Sequence, residues 1–182
     1  MIKVLITDPI HRDGIDLLKK YGFEVYEHFD IEKEKLKEIV KEFDALIVRS
    51  RTKVTRDIIY AAEKLNVIAR AGVGLDNIDV EAAMERGIKV INAPQAASIA
   101  VAELVFGLML TIARGICRGN YALKKGEWIK SELLGFELRG KTLGIIGLGR
   151  IGVEVAKRAK AFEMNILAYD VREEVRKIAN EL

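Results

Sequence analysis

Short apolar runs alternate with amphipathic stretches along residues 1–92. Ile2–Thr7 is a short, mostly apolar run that stops at Asp8-Pro9, so it predicts a first strand. A helix follows with Ile15, Leu17 and Leu18 facing inward and Gly22 at its C-terminal end. Phe23–Phe29 reads as a second strand. After it comes a Lys/Glu-rich helix whose apolar stripe is Ile31, Leu36, Ile39, Val40 and Phe43. Ala45–Val48 predicts a third strand, Thr55 caps a helix that runs through Leu65, and Val67–Ala69 predicts a fourth strand. A glycine turn then leads to a short helix ending at Gly87, and Ile88–Ile91 closes the series. Repeated strand–helix units of this kind specify a parallel, doubly wound α/β domain over residues 1–95.

At Asn92-Ala93-Pro94 the rhythm changes. Ser98 opens a long helix through Ala113, apolar nearly all round, which predicts burial on several sides. A second helix surrounds Tyr121, and a looser stretch joins Gly126 to Gly140. Thr142–Gly147 and Asn165–Asp170 read as strands flanking a helix from Ile151 to Phe162, with a further helix beginning after Asp170. Residues 96–182 thus predict linking helices and the first part of a second sheet. Two strands and one crossover leave most apolar faces uncovered, so the natural polypeptide is expected to continue, to roughly 300 residues by ordinary two-domain sizes.

Composition narrows the classes. Half of the 182 residues are hydrophobic and 31% are charged, which suits packed cores and argues against disorder. The net charge of +3 comes from cations and anions spread along the chain, so neither a nucleic-acid nor a membrane partner is expected. A single cysteine, Cys117, excludes an internal disulfide framework and zinc spacing, and its apolar context predicts a small buried side chain. The N-terminus does not read as a signal peptide, and Glu103 interrupts the longest apolar run, so a soluble cytoplasmic protein is expected.

The strongest chemical signal is Gly144-Ile145-Ile146-Gly147-Leu148-Gly149-Arg150-Ile151-Gly152, where a buried strand runs into spaced glycines and a helix opens at once. Gly147 permits a tight turn, Gly149 close approach of a pyrophosphate, and Gly152 close helix–strand packing, with Arg150 and Ile151 on the first helical turn. Asp170 ends the next strand 18 residues beyond Gly152, where a carboxylate accepts from ribose hydroxyls and repels a 2′-phosphate. The pattern points to a dinucleotide, NAD rather than NADP.

Two upstream motifs, Val48-Arg49-Ser50-Arg51-Thr52-Lys53-Val54-Thr55 and Arg70-Ala71-Gly72-Val73-Gly74-Leu75-Asp76-Asn77-Ile78-Asp79, resemble substrate-domain signatures of the D-isomer-specific 2-hydroxyacid dehydrogenase family, in particular its phosphoglycerate dehydrogenase branch. The glycine motif resembles that family's cofactor signature, and the likeness extends over essentially the whole chain. It implies a flavodoxin-like substrate domain followed by the start of a Rossmann NAD-binding domain. It also implies NAD-dependent oxidation of D-3-phosphoglycerate to 3-phosphohydroxypyruvate, the entry to serine biosynthesis, by the full-length protein. Arg49 and Arg70 follow buried strands, where α/β sheets bind ligands, and would suit a small acidic, phosphorylated 2-hydroxy acid, or else pair with surface carboxylates. Backbone N–H groups at Ala71 and Gly72 would meet the substrate carboxylate, and Val73 the nicotinamide end of NAD. Arg51 and Lys53 read equally as a solvated loop.

The Arg, Glu and His that perform the chemistry in this family have no counterpart here. His11 reads as a helix-start residue and His28 as structural, so this chain alone is expected to be inactive. The resemblance further implies a homodimer through the long helix, with Trp128 either anchoring that contact or packing internally. Rival readings are a glyoxylate/hydroxypyruvate reductase, a D-lactate dehydrogenase, or a non-catalytic NAD-responsive binding protein on the same fold.

Overall fold

A computed structural model describes residues 1–173 and 175. The chain divides into two compact units, Met1–Ala96 and Ala97–Leu182. Unit 1 contains five parallel strands: β1 (Lys3–Ile6), β2 (Glu24–Glu27), β3 (Ala45–Val48), β4 (Val67–Arg70) and β5 (Lys89–Asn92), in the order β2-β1-β3-β4-β5. This is the flavodoxin-like doubly wound order. Between the strands run α1 (Arg12–Lys20), α2 (Lys33–Ile39), α3 (Arg56–Ala61) and α4 (Val80–Glu85). One cluster, built on Leu5, Leu46, Val48, Ile58 and Ile68, fills one side of the sheet, and a second, built on Val4, Ile6 and Ile15, fills the other. The central strands β1 and β3 are therefore covered on both faces, as parallel strands require, whereas the second cluster does not reach β4 and β5, and Ile91 of β5 is exposed.

Several boundaries and faces differ from expectation. α3 stops at Ala61 rather than continuing to Leu65, because the Arg86 guanidinium donates to the carbonyl oxygens of Ile59, Tyr60 and Ala62 and caps the helix end there. Thr55 holds the N-cap position, but its hydroxyl donates to the Asp57 carboxylate instead of capping the backbone. Leu17 is exposed, since this short helix buries only Ile15 fully, with Leu18 packed partly beside it.

Unit 2 begins with α5 (Ser98–Arg114) and α6 (Ile116–Lys124), which meet at a 66° bend where Gly115 adopts φ +61. Among the described residues no single helix is long and apolar enough to cross a membrane. β6 (Thr142–Ile146) and β7 (Asn165–Tyr169) pair in parallel across α7 (Arg150–Ala161). Their inward side packs with Ala102 and Phe106 of α5 and with Val155, Ala156 and Ala159 of α7. The long helix is buried along one stripe only: Ile99, Leu104, Leu108 and Ile112 are exposed. Cys117 is exposed as well, because α6 turns Gly119 and Ala122 inward. Trp128 is 78% exposed and does not pack internally. The helix expected after Asp170 falls mostly outside the described residues.

Candidate functional site

In unit 1 the candidate residues gather at the C-terminal ends of neighbouring strands. Val48 of β3 stands opposite Arg70 of β4, which stands opposite Asn92 of β5. Arg49 follows Val48 directly, so Arg49 and Arg70 emerge from adjacent strand ends. The Arg49 guanidinium donates to Pro9 O at 3.2 Å and meets no carboxylate among the described residues. Arg70 also has no carboxylate partner there, and its Nε is buried without an acceptor. A buried donor left unsatisfied costs about 1–3 kcal/mol, which an incoming anion would recover. Arg51 behaves differently: it donates to Asp8 Oδ1 at 3.1 Å and Thr7 O at 3.2 Å, and pairs with Asp30. Arg51 is thus a half-exposed side chain engaged with carboxylates, a pairing that neither the ligand-contact nor the solvated-loop reading had named.

The glycine turn after β4 is shaped by its own side chains. A Cβ at Gly72 would stand 2.7 Å from Arg70 Nη1, and one at Gly74 2.6 Å from Asp76 Oδ1. Both glycines therefore make room for neighbours, a need the sequence did not reveal. Ala71 N–H donates to Val48 O and Gly72 N–H to Arg70 O, each at 2.8 Å. Those two amides are thus already engaged. On the other side of the turn, Gly72 O accepts from Ala93 N–H at 2.9 Å and Val73 O from Asn92 Nδ2 at 2.6 Å. The N–H groups of Val73 and Gly74 have no acceptor among the described residues, and half-exposed Val73 stands beside them. Arg70 with the Val73 and Gly74 amides forms a cationic cradle that fits a carboxylate or phosphate.

A concavity of about 870 Å³ lies alongside, lined by Lys53, Arg56, Asp57, Asp76 and Asp79 among others. Carboxylates outnumber cations in that group, so it suits an acidic ligand less well than the arginine cradle.

In unit 2, Gly147 adopts φ +93 and its N–H donates to Tyr169 O at 2.7 Å, which closes β6 into a tight turn. A Cβ on Gly152 would press into the Gly147 carbonyl oxygen, so α7 approaches the strand as only glycine allows. No side chain caps α7, whose N-cap is Gly149. The N–H groups of Arg150, Ile151 and Gly152 consequently lack intrahelical acceptors, the arrangement that receives phosphate. Asp170 is buried: Oδ2 accepts from Leu148 N–H at 2.8 Å and Arg172 Nη2 at 3.1 Å, and Oδ1 from Arg172 N–H at 2.9 Å and Nε at 3.0 Å. The Arg172 guanidinium, then its backbone N–H, hold this carboxyl well below the usual range. Its roughly four acceptor positions are filled, so ribose hydroxyls would take those of the Arg172 side chain.

Asp8, Asn77 and Asn92 were not among the predicted site residues. Only Asp8 carried a signal, a charge two residues past the last residue of the largely apolar β1. His11 caps α1 by accepting from Asp13 N–H at 3.4 Å, and His28 is exposed past the end of β2. Neither histidine lies among the cradle residues.

The D-isomer specific 2-hydroxyacid dehydrogenase, catalytic domain, model matches residues 4–180. A D-3-phosphoglycerate dehydrogenase of Methanocaldococcus jannaschii is 60% identical over 93% of this chain and 32% of its own length. A hydroxypyruvate reductase of Thermotoga maritima is 55% identical over 92% of this chain and 55% of its own length. The crystal structure of a cofactor (NAD+) bound 3-phosphoglycerate dehydrogenase of Entamoeba histolytica superposes with a TM-score of 0.76 at 36% identity, covering 93% of this chain and 54% of that one. The chain thus spans between about a third and just over half of the length of these relatives. With the family model running over nearly every residue, and the glycine turn and strand-end arginines in place, the chain belongs to the D-isomer specific 2-hydroxyacid dehydrogenases.

Proposed function

We propose that the whole protein is an NAD-dependent oxidoreductase that oxidises D-3-phosphoglycerate to 3-phosphohydroxypyruvate, and that this chain supplies substrate binding and the phosphate-binding turn for the cofactor. The observation that carries the reading is the pair of guanidinium groups at adjacent strand ends, Arg49 and Arg70, with no carboxylate partner among the described residues. Two unneutralised cations beside free backbone N–H groups favour a substrate with two anionic groups, a carboxylate and a phosphate. NAD would accept a hydride from substrate C2. Toward it, the uncapped start of α7 would receive the pyrophosphate and Asp170 the adenosine ribose, with Arg150 and Ile151 beside the phosphates. Val73 would face the nicotinamide end.

Proton transfer is assigned to residues outside this chain, since neither His11 nor His28 lies among the cradle residues. A homodimer through the exposed stripe Leu104, Leu108 and Ile112, to which exposed Trp128 would add an aromatic anchor, is proposed on the strength of those apolar side chains. A hydroxypyruvate reductase is the second reading, favoured by the 55% identity to the Thermotoga enzyme.

The test is NADH oxidation by the whole protein with phosphohydroxypyruvate, hydroxypyruvate, glyoxylate and pyruvate. A kcat/KM preference for the phosphorylated acid, reduced about tenfold or more by Arg70→Ala, is expected from loss of a charged contact. Turnover confined to unphosphorylated acids would transfer the protein to the reductase branch. NADH binding without turnover would make it a non-catalytic NAD-responsive protein.

A further inference from the structure

The turn that carries Arg49 is gripped from both sides by two buried polar side chains. Asp8, only 1% exposed, accepts from Arg49 N–H at 2.6 Å and Thr52 N–H at 3.2 Å through Oδ2. Its Oδ1 accepts from the Thr52 hydroxyl at 3.0 Å and Arg51 Nε at 3.1 Å. Asn77, 9% exposed, donates Nδ2 to the carbonyl oxygens of the same two residues, Arg49 and Thr52, each at 2.7 Å. Amide donors of the turn are thus read by a carboxylate and its carbonyls by a carboxamide.

Neither grip is what packing alone would select. Asn77 Oδ1 is buried with no partner, a deficit of about 1–3 kcal/mol accepted for the sake of the two Nδ2 bonds. Burial pushes the Asp8 carboxyl up, but the N–H groups of Arg49 and Thr52, the Thr52 hydroxyl and Arg51 outweigh it and leave the group below the usual carboxylate range. The clamp also sorts the two arginines of the motif. Arg51 is drawn onto Asp8 and Asp30, which satisfies the buried carboxylate and leaves the Arg49 guanidinium without an acid partner. Asn77 is itself anchored, because Val54 N–H donates to its carbonyl oxygen at 2.8 Å.

We propose that Asp8 and Asn77 are positioning residues for the acidic substrate: they hold the 49–52 turn so that Arg49 is presented beside Arg70, and they act on substrate only through Arg49. This rests on the reading of Arg49 as an anion contact. An isosteric amide at position 8 cannot replace the carboxylate, because its NH2 would face either the N–H groups of Arg49 and Thr52 or the Nε–H of Arg51.

The experiment is a double-mutant cycle in the whole protein, reading the ratio of KM for phosphohydroxypyruvate to KM for hydroxypyruvate, which is insensitive to the fraction of folded enzyme. Arg49→Ala is expected to raise that ratio about tenfold or more, and Asp8→Asn and Asn77→Ala about three- to thirtyfold, with the KM for NADH unmoved. In the Arg49→Ala background, Asp8→Asn should add less than about twofold, since residues acting through one group are not additive. Thr52→Val, which deletes one of the four Asp8 bonds, gives a milder rise and serves if Asp8→Asn does not fold. An unchanged ratio in Asp8→Asn, or in Thr52→Val where that variant stands in, overturns the proposal. So do penalties that multiply in the double variant. An unchanged ratio in Arg49→Ala instead removes the reading of Arg49 as the contact for the substrate's phosphate, on which the proposal stands.

Discussion

The two units are built from the same parts and finished differently. Each places a carboxylate just past a parallel strand, where it gathers backbone N–H groups from a neighbouring turn: Asp8 for the 49–52 turn, Asp170 for the glycine turn. Unit 1 surrounds that device with five strands, of which β1 and β3 are covered on both faces, and Leu5, Leu46 and Ile68 are fully buried. Among the described residues unit 2 has two strands, covered on one face. Its side chains alternate, with Leu143 and Ile145 inward, while Ile146 is 91% and Leu167 68% exposed. The glycine turn is nevertheless formed. Its geometry therefore comes from local contacts, the Gly152–Gly147 approach and the Leu148–Asp170 hydrogen bond, whereas the arginine cradle depends on the register of three strands.

The largest expected contrast is between core truncations. Ile68→Ala in unit 1 should cost about 2–5 kcal/mol in urea unfolding, and Leu167→Ala in unit 2 no more than about 0.5 kcal/mol. Equal costs would show that the bare face of β7 is covered in solution. Next, Gly152→Ala should cost unit 2 about 1–3 kcal/mol through overpacking and abolish NADH binding. Amide exchange of β1, β3 and β4 should not change, and a loss of protection there would mean the units do not fold separately.

A pH series sharpens the pairing of the two carboxylates. Asp8 has a folded pKa below its unfolded one, so its contribution is present above the unfolded value and disappears as pH falls through the folded value. The stability gap between the parent chain and Asp8→Asn should accordingly narrow from about pH 5 downward. A gap that widens with acid would reverse the assigned sign. Asp170 obeys the same sign, with Arg172 as the first cause, so Arg172→Ala should raise the Asp170 pKa, measurable by carboxyl NMR titration. The smallest effect concerns Cys117. Being exposed, it should react with a thiol reagent in the folded chain at a rate within about tenfold of that in urea.

Strand positions were legible because buried parallel strands are short, continuously apolar and bounded by turn residues, as at Ala45–Val48. The glycine turn was legible for the same reason: it is a local device. Helix ends were not, since Arg86 sets the end of α3 from across the fold. Faces of short helices failed similarly at Leu17 and Cys117, where which side meets the sheet depends on tertiary docking. At the site, the arginines announced themselves as charges after strands. Asp8 showed a similar charge after a strand and Asn77 showed nothing, because a carboxylate and an amide acquire a positioning role only when a distant turn folds over them. Gly72 was read for its backbone N–H alone, yet it and Gly74 make room for Arg70 and Asp76.

The two-stranded sheet has a consequence for handling the isolated chain. Among the described residues β6 and β7 each have one paired edge, so each presents an open row of N–H and C=O groups next to an apolar face. Such an edge templates further strands from other molecules. Concentrated solutions of this chain by itself are therefore expected to lose material through ordered self-association that begins at unit 2, where open edges adjoin the exposed side chains of Ile146 and Leu167.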